Sequence, residues 1–240
     1  MLAWPETALE PDALAALGQA LARRLRGEPL AHVLGSGAFW TFELEVGPAV
    51  LVPRADTETL VERALLHLEA DPHGLVLEAG TGTGAVAIAL ATECPNPIVA
   101  IELHADALAV ARRNARRLLA PGRLGFVRGD WLAAFADASA ALIVANPPYL
   151  ADDDPHLPAL AHEPRAALVS GPEGLDALTA LIVQARRVAR PGAVVALEHG
   201  CSQGAAVRGL LARHGFADVV TTRDLAGLER VSEGRAPPQS

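Results

Sequence analysis

The residues with the most evident chemistry are a run of alternating glycines, a carboxylate about twenty positions further on, and one tetrapeptide. The run is Glu78-Ala79-Gly80-Thr81-Gly82-Thr83-Gly84, set between a short apolar segment and an apolar helical one. Glycines let a backbone turn sharply and let a ligand approach within contact distance, while the first turn of the following helix offers unpaired N–H groups. A nucleotide-like ligand is implied. Glu102 closes the next apolar segment, a position from which a carboxylate accepts hydrogen bonds from ribose hydroxyls. Gly80-x-Gly82-x-x-Ala85 also satisfies the relaxed dinucleotide fingerprint, so the loop alone leaves the cofactor open.

The tetrapeptide is Asn146-Pro147-Pro148-Tyr149, at the end of the apolar run Ala141 to Ala145. Consecutive prolines hold the chain extended and remove N–H donors, which leaves carbonyls pointing in fixed directions. Asn146 adds a side-chain carbonyl. A planar NH₂ group carries two donors in one plane, and the Asn146 side-chain oxygen and the Pro147 backbone oxygen can accept both. Tyr149, the only tyrosine, can stack on the same plane. Asp130-Trp131, after another β-rich run, supplies an acceptor and an aromatic wall of the kind that flanks adenine.

These residues need a scaffold that brings strand ends together, and the hydrophobic pattern supplies one. Strands are predicted at 75–79, 98–102, 124–128, 141–145, 193–198 and 217–222, with a last one near 229–232. Helices are predicted at 85–93, 105–119, 175–189 and 203–214. Continuous apolar strands alternating with helices imply an α/β fold with a parallel sheet covered on both faces, whose ligand crevice lies at the strand carboxyl ends. Ahead of it, Leu14, Leu17, Leu21 and Leu25 give one face of a helix over 12–26, and a second helix is predicted over 57–69. Between them, Phe42, Leu44 and Val46 alternate with acids, and Gly47-Pro48 separates them from Val50-Leu51-Val52, which reads as a β-hairpin. The stretch 150–174, rich in Pro and Asp, is too long for an ordinary connection and has the character of a functional lid. Residues 236–240 read as a frayed tail.

Composition removes other classes. With 240 residues, 51% hydrophobic and 20% charged, the chain has enough apolar material for one large domain plus an appendage. No apolar run reaches the ~18 residues of a membrane span, and the opening 1–12 lacks a secretory signal pattern, so a cytoplasmic location is expected. All 20 basic residues are arginine, which excludes a Schiff-base or P-loop lysine. The net charge of −8 disfavours broad binding to nucleic acid. Cys94 and Cys201 lack metal-ligand or disulfide spacing, and Asp152-Asp153-Asp154 with His156 matches no ligand loop, so no metal is expected. His199 with Cys201, and Ser170 without elbow glycines or a nearby base, read as packing or surface residues.

In this context Asn146 to Tyr149 resembles the Asn-Pro-Pro-Tyr motif of S-adenosylmethionine-dependent methyltransferases that act on amide or exocyclic amino nitrogens. A dehydrogenase has no use for it, which favours S-adenosylmethionine over a dinucleotide. Arg26-Gly27-Glu28-Pro29-Leu30-Ala31-His32-Val33-Leu34-Gly35, Phe39-Trp40 and Val52-Pro53-Arg54-Ala55-Asp56-Thr57-Glu58 are similar to segments ahead of the cofactor domain in bacterial peptide chain release factor glutamine methyltransferases. Glu163-Pro164-Arg165-Ala166-Ala167-Leu168 and Gly171-Pro172-Glu173-Gly174-Leu175-Asp176 look like that family's segment after the tetrapeptide, so the resemblance runs from about Trp4 to Arg235.

The resemblance implies a class I, Rossmann-like methyltransferase with a mostly parallel seven-stranded sheet, preceded by a short helix and a β-hairpin. It divides the chain into a remnant of an N-terminal helical lobe over 1–35, a hairpin linker over 36–55 and the methyltransferase domain over 56–240. It implies methylation of the glutamine in the Gly-Gly-Gln motif of release factors, with no membrane and no direct nucleic-acid partner. By motif, Gly80, Thr81, Gly82, Thr83 and Gly84 hold the methionine part of the cofactor, Glu102 the ribose, and Asp130 with Trp131 the adenine. Asn146, Pro147, Pro148 and Tyr149 grip the glutamine amide, Asn146 also bordering the cofactor. Glu102 stands where the family usually carries Asp, Ala79 replaces a larger apolar residue, and the helical lobe is short. Two other targets share the chemistry: the amino group of a nucleic-acid base, kept open by Arg112, Arg113, Arg116 and Arg117, and a glutamine of another protein such as a ribosomal one. A cofactor-binding module without transferase activity is the non-enzyme alternative.

Overall fold

The computed structural model describes residues 10–238. The reading of the opening stretch therefore lies outside the described residues over 1–9, as does that of the tail at Gln239 and Ser240. Two helices open the described chain, α1 (Pro11–Leu25) and α2 (Leu30–Leu34). The periodicity of α1 is as expected, but no residue of it is buried, and Leu14, Leu17, Leu21 and Leu25 are exposed. Arg23 ties it to the following turn, bonding Glu28 and the carbonyls of His32 and Val33.

The hairpin differs from expectation. It pairs β1 (Ser36–Phe39) with β2 (Phe42–Glu45) around Trp40-Thr41, with Trp40 at φ 54°, and Gly47-Pro48 is not its turn. Val50-Leu51-Val52 is not a strand, because Pro48 and Pro53 remove ladder donors and the Val52 N–H donates 2.9 Å to the Glu163 carboxylate instead. The segment becomes a wall of the cavity described below.

After a 3-10 turn at Ala55–Thr57 and α3 (Glu58–Leu68), strands and helices alternate: β3 (Val76–Ala79), α4 (Ala85–Glu93), β4 (Ile98–Glu102), α5 (Ala105–Leu118), β5 (Gly125–Arg128) and β6 (Ala140–Ala145). The second half adds α6 (Asp176–Val188), β7 (Ala189–Glu198), α7 (Gly204–Arg213), β8 (Ala217–Arg223) and β9 (Glu229–Arg235). The strands form one seven-stranded sheet in the order β5-β4-β3-β6-β7-β9-β8, parallel as far as β7, with β9 antiparallel to both neighbours. The last strand is longer than its apolar signal, and Ala236 beyond it is buried and paired with Ala193 and Gly192, so the tail does not fray at its start.

Alternation along each strand splits the core into two layers. Val76, Ala100, Leu142, Val144 and Val194 face α3 and α4, while Leu77, Ala79, Ile101, Ile143 and Val195 face α6 and α7. Helix α4 is apolar on every side because it is enclosed on every side: all residues from Ala85 to Ala91 are buried. Buried Asn114 of α5 joins the hairpin to the glycine loop, exchanging hydrogen bonds with the Glu45 backbone (2.7 and 3.0 Å) and donating to the Thr83 carbonyl at 3.0 Å. The arginines around it do not form one free basic face. Arg113 is paired with Glu45, Arg117 bonds the Glu43 carbonyl, and Arg112 lies over the Phe126 ring.

The expected lid is a packed segment. Leu150 bridges Val169, Tyr149 and Leu150 both donate to the Leu168 carbonyl, and Glu163 is buried. Two 3-10 turns, Leu157–Leu160 and Arg165–Ala167, take up its length.

Candidate active site

The sheet order reverses between β3 and β6, so their carboxyl ends splay two connections apart and leave a crevice there. Ala79 is in register with Ala145, which places Gly80 and Asn146 side by side as the chain leaves each strand. A cavity of about 340 Å³ opens above them, within the range of small-molecule sites. Its floor is the glycine loop with Glu78 and Glu102, one side is Asp130 with Trp131, and another is Asn146 with Pro148. The roof comes from two segments far apart in sequence, Ala49–Arg54 ahead of α3 and Pro164–Ala167 between β6 and α6. Glu163 clasps them together, accepting from Val52 N–H and from the Arg54 guanidinium at 2.5 Å.

The loop has the form the glycine spacing predicts. Gly80, Gly82 and Gly84 all have positive φ (77°, 54° and 86°). A Cβ on Gly82 would meet no neighbour within 4 Å, so the backbone here is a bare surface on the cavity, whereas a Cβ on Gly80 would press on Trp131 at 3.2 Å. Gly84 caps α4, and its carbonyl accepts from Ile88 N–H. Glu102 is buried, with one carboxylate oxygen accepting from Gly82 N–H and the other from His104 N–H, each at 3.0 Å. A carboxylate held by two backbone donors from either side of the cavity floor is fixed in aim. A bare glycine backbone at a helix N-terminus, two carboxylates and an indole wall fit an adenosine that carries a cationic amino-acid chain.

Sequence reasoning missed three contributors. Glu78 was read only as the start of the loop, yet it is fully buried, lines the cavity, and receives the Thr81 hydroxyl. Burial pushes its carboxyl up to about 8, and the Glu102 charge adds to that. Thr57 and Arg54 also line the cavity; the signal for both was their place in the segment 52–58. Conversely, Pro147 and Tyr149 do not line it. Tyr149 packs against the layer under α6 and α7, and burial together with the Glu198 charge pushes its phenol up to about 12. Its carbonyl accepts from Gln203 Nε2 at 2.9 Å.

The other singled-out residues lie elsewhere. His156 bonds Asp154 in an exposed turn, and no group of three or more metal-ligating side chains occurs among the described residues. Ser170 Oγ accepts from Ala177 N–H at the start of α6, and His199 Nε2 meets Ser232 Oγ at 2.8 Å in the core. Cys94 and Cys201 are free thiols. No described helix is long and apolar enough to cross a membrane.

Two buried carboxyls of opposite tendency shape the pH dependence of stability. Desolvation would raise Glu233, but hydrogen bonds from His67 and from both arms of Arg63 pull it down to about 2. Its contribution is present above its ordinary value of 4.5 and is lost as pH falls toward 2. Glu78 runs the other way: its contribution is full below its ordinary value of 4.5, where it is protonated in both states, and is lost as pH rises from there through about 8, where the fold must bury a charge. Urea midpoints are therefore expected to peak near the ordinary carboxyl value of about 4.5, each flank losing about a few kcal/mol. E78Q should make the alkaline flank shallower and leave the acid flank as it is; an unchanged alkaline flank would show that Glu78 ionises without cost.

The strand order and glycine loop are those of Rossmann-like methyltransferases. Residues 55–173 match the family described as the methyltransferase small domain, and residues 1–35 match the PrmC N-terminal domain. A methyltransferase from Pyrococcus furiosus shares the fold with a TM-score of 0.60 at 20% identity, over 92% of this chain and 99% of its own. The protein is a methyltransferase of this class. The release factor glutamine methyltransferase of Pseudomonas aeruginosa is 45% identical over 235 residues, 97% of this chain and 84% of that one. The Escherichia coli (strain K12) protein of the same name is 43% identical over 238 residues, 98% of this chain and 85% of that one. The chain belongs to the release factor glutamine methyltransferase family.

Proposed function

We propose that this protein methylates the side-chain amide nitrogen of the glutamine in the Gly-Gly-Gln motif of a peptide chain release factor, in the cytoplasm, with S-adenosylmethionine as donor. The observation that carries the reading is the register of β3 with β6, which sets Asn146 and Pro148 of the tetrapeptide beside the glycine loop in one cavity. Family membership supplies the target.

S-adenosylmethionine, when bound, supplies an electrophilic methyl group on a cationic sulfur. Gly80, Thr81, Gly82, Thr83 and Gly84 would hold its methionine part against bare backbone, Glu102 would accept from the ribose hydroxyls, and Asp130 and Trp131 would border the adenine. Asn146 Nδ2 donates to Thr57 Oγ1 at 3.1 Å, so Asn146 has its Oδ1 left to accept from a substrate NH₂. The Pro147 carbonyl would take the second proton of that NH₂, and Pro148 would fix the angle between the two acceptors. An amide nitrogen is a poor nucleophile because its lone pair is delocalised into the carbonyl. Two aimed acceptors hold it in one orientation and stabilise the positive charge that develops on it. No base is required before attack, since the nitrogen becomes strongly acidic once alkylated and its proton passes to solvent. Tyr149 would support the tetrapeptide from below, its backbone held by Gln203. We read residues 1–35 as the remnant of a helical lobe and 36–55 as a linker to the catalytic domain over 56–240.

The test is transfer of labelled methyl from S-adenosylmethionine to a purified release factor, beside a copy whose motif glutamine is alanine. Label on the intact factor alone is expected. Equal labelling of both, or label on nucleic acid instead, would overturn the assignment.

A further inference from the structure

The tetrapeptide rests on a buried acid that the scheme above does not use. Glu198 ends β7, which runs parallel to β6 with Ala145 opposite Leu197, so Glu198 lies next to Asn146 one step further on. It is 1% exposed, and its Oε2 has no partner of full hydrogen-bond geometry. The nearby cation does not neutralise it: Arg230 is bonded to Asp224 and Asp56, both at 3.1 Å, and to the His199 carbonyl. Besides the charges of Arg230 and Asp56, two hydroxyls bear on the Glu198 carboxyl, those of Thr57 and Tyr149, with Thr57 the stronger. A buried carboxyl without its own cation is costly, and such groups persist where they serve a site.

The problem this solves is the orientation of an amide. The two ends of an Asn side chain are nearly equal in shape, and a hydroxyl can either donate or accept. Thr57 alone therefore accommodates Asn146 either way round. An ionised carboxylate only accepts, so it draws the Thr57 proton to itself and leaves the Thr57 oxygen able only to accept. Asn146 must then present Nδ2 to Thr57 and Oδ1 to the cavity.

We propose that Glu198 is a positioning residue that, through the Thr57 hydroxyl, sets the orientation of the Asn146 amide and so its ability to receive a substrate NH₂. The proposal deepens the reading given under Proposed function and rests on it for the substrate. Burial pushes the Glu198 carboxyl up to about 7, against the pull of Thr57, Arg230 and Tyr149 and with the push of Asp56. Protonated, it can donate to Thr57, free the Thr57 proton for Asn146 Oδ1, and turn the NH₂ of Asn146 toward a substrate that also offers NH₂. The orientation is therefore lost as pH falls through about 7.

The test reads Asn146 directly. In the full chain labelled with ¹⁵N, the Asn146 side-chain amide signals, assigned by their loss in N146A, are followed in the wild type, E198Q, T57V and T57S. E198Q and T57V should move these signals and speed their exchange with solvent, and the double variant should do no more than either. T57S, which keeps the hydroxyl, should leave them in place, and the wild-type signals should titrate near pH 7. In transfer assays E198Q should lower kcat roughly tenfold or more, with KM and cofactor Kd within about twofold. Unmoved signals in folded E198Q, or effects of E198Q and T57V that multiply as independent ones do, would overturn the proposal. If E198Q does not fold, T57V and the wild-type titration decide it. If the wild type labels no release factor, the reading of the substrate falls, and the amide signals still decide whether Glu198 orients Asn146.

Discussion

Asn146→Ala is expected to lower kcat by about two to three orders of magnitude while cofactor Kd stays within about threefold, as measured by single-turnover transfer beside equilibrium binding. Asn146 stands at the end of β6, beside the glycine loop but with its Nδ2 turned away to Thr57. The atom it offers the cavity is an acceptor, and one acceptor adds little to a cationic cofactor that five backbone positions and two carboxylates would hold. It has much to give an amide nitrogen that gains positive charge only as the new bond forms. An interaction made in the transition state and not before appears in kcat. Equal losses in turnover and cofactor affinity would make Asn146 a binding residue and contradict the role proposed for it.

The second large effect falls on the opposite side of the ledger of rate and affinity. Glu102→Ala should weaken cofactor binding by about a hundredfold or more, with kcat at saturating cofactor reduced far less. Charge-assisted hydrogen bonds contribute roughly 1.5–3 kcal/mol each, and truncation also strands the Gly82 and His104 N–H groups that the carboxylate now receives. Losing the first of these loosens the bare centre of the glycine loop, so the defect spreads from ribose to the methionine end. Glu102→Asp tests reach: the shorter side chain cannot hold both N–H groups from the same backbone position, and an intermediate Kd is expected. Wild-type affinity in E102A, read by calorimetry, would remove Glu102 from the cofactor site.

How far the sequence was legible follows from which interactions are local. β4 and α4 were readable to the residue, because an apolar run ending in a carboxylate and an apolar run opening on glycine carry their own boundaries. Gly80 to Gly84 and Glu102 on the cavity floor, and Asn146 at its side, were readable for the same reason, since they sit at strand ends whose position follows from sheet topology. The hairpin turn was misplaced because Gly47-Pro48 is the stronger local signal and Trp40, a bulky residue at positive φ, gives none. The roof was invisible to periodicity: Glu163 binds Val52 across 111 positions, and nothing in either segment alone announces the other. Tyr149 was read as a stacking face because of its neighbours in sequence, whereas its ring is drawn into the core by the β7 side of the sheet. Glu198 closes a predicted strand, and nothing in its sequence neighbours marks its carboxyl as buried.

The place of β9 has a consequence for how the molecule comes into being. It is the last of the described strands in chain order, yet it lies inside the sheet, between β7 and β8. Until its residues emerge, β7 presents a bare edge of unpaired N–H and C=O groups, and β8 has no neighbour at all. Arg230 and Glu233, which fasten Asp56 and Arg63 from the start of the domain, arrive with it. A nascent chain that has not yet released β9 thus carries the loops of the cavity complete but unsecured, and the sheet is locked only when β9 enters between its neighbours.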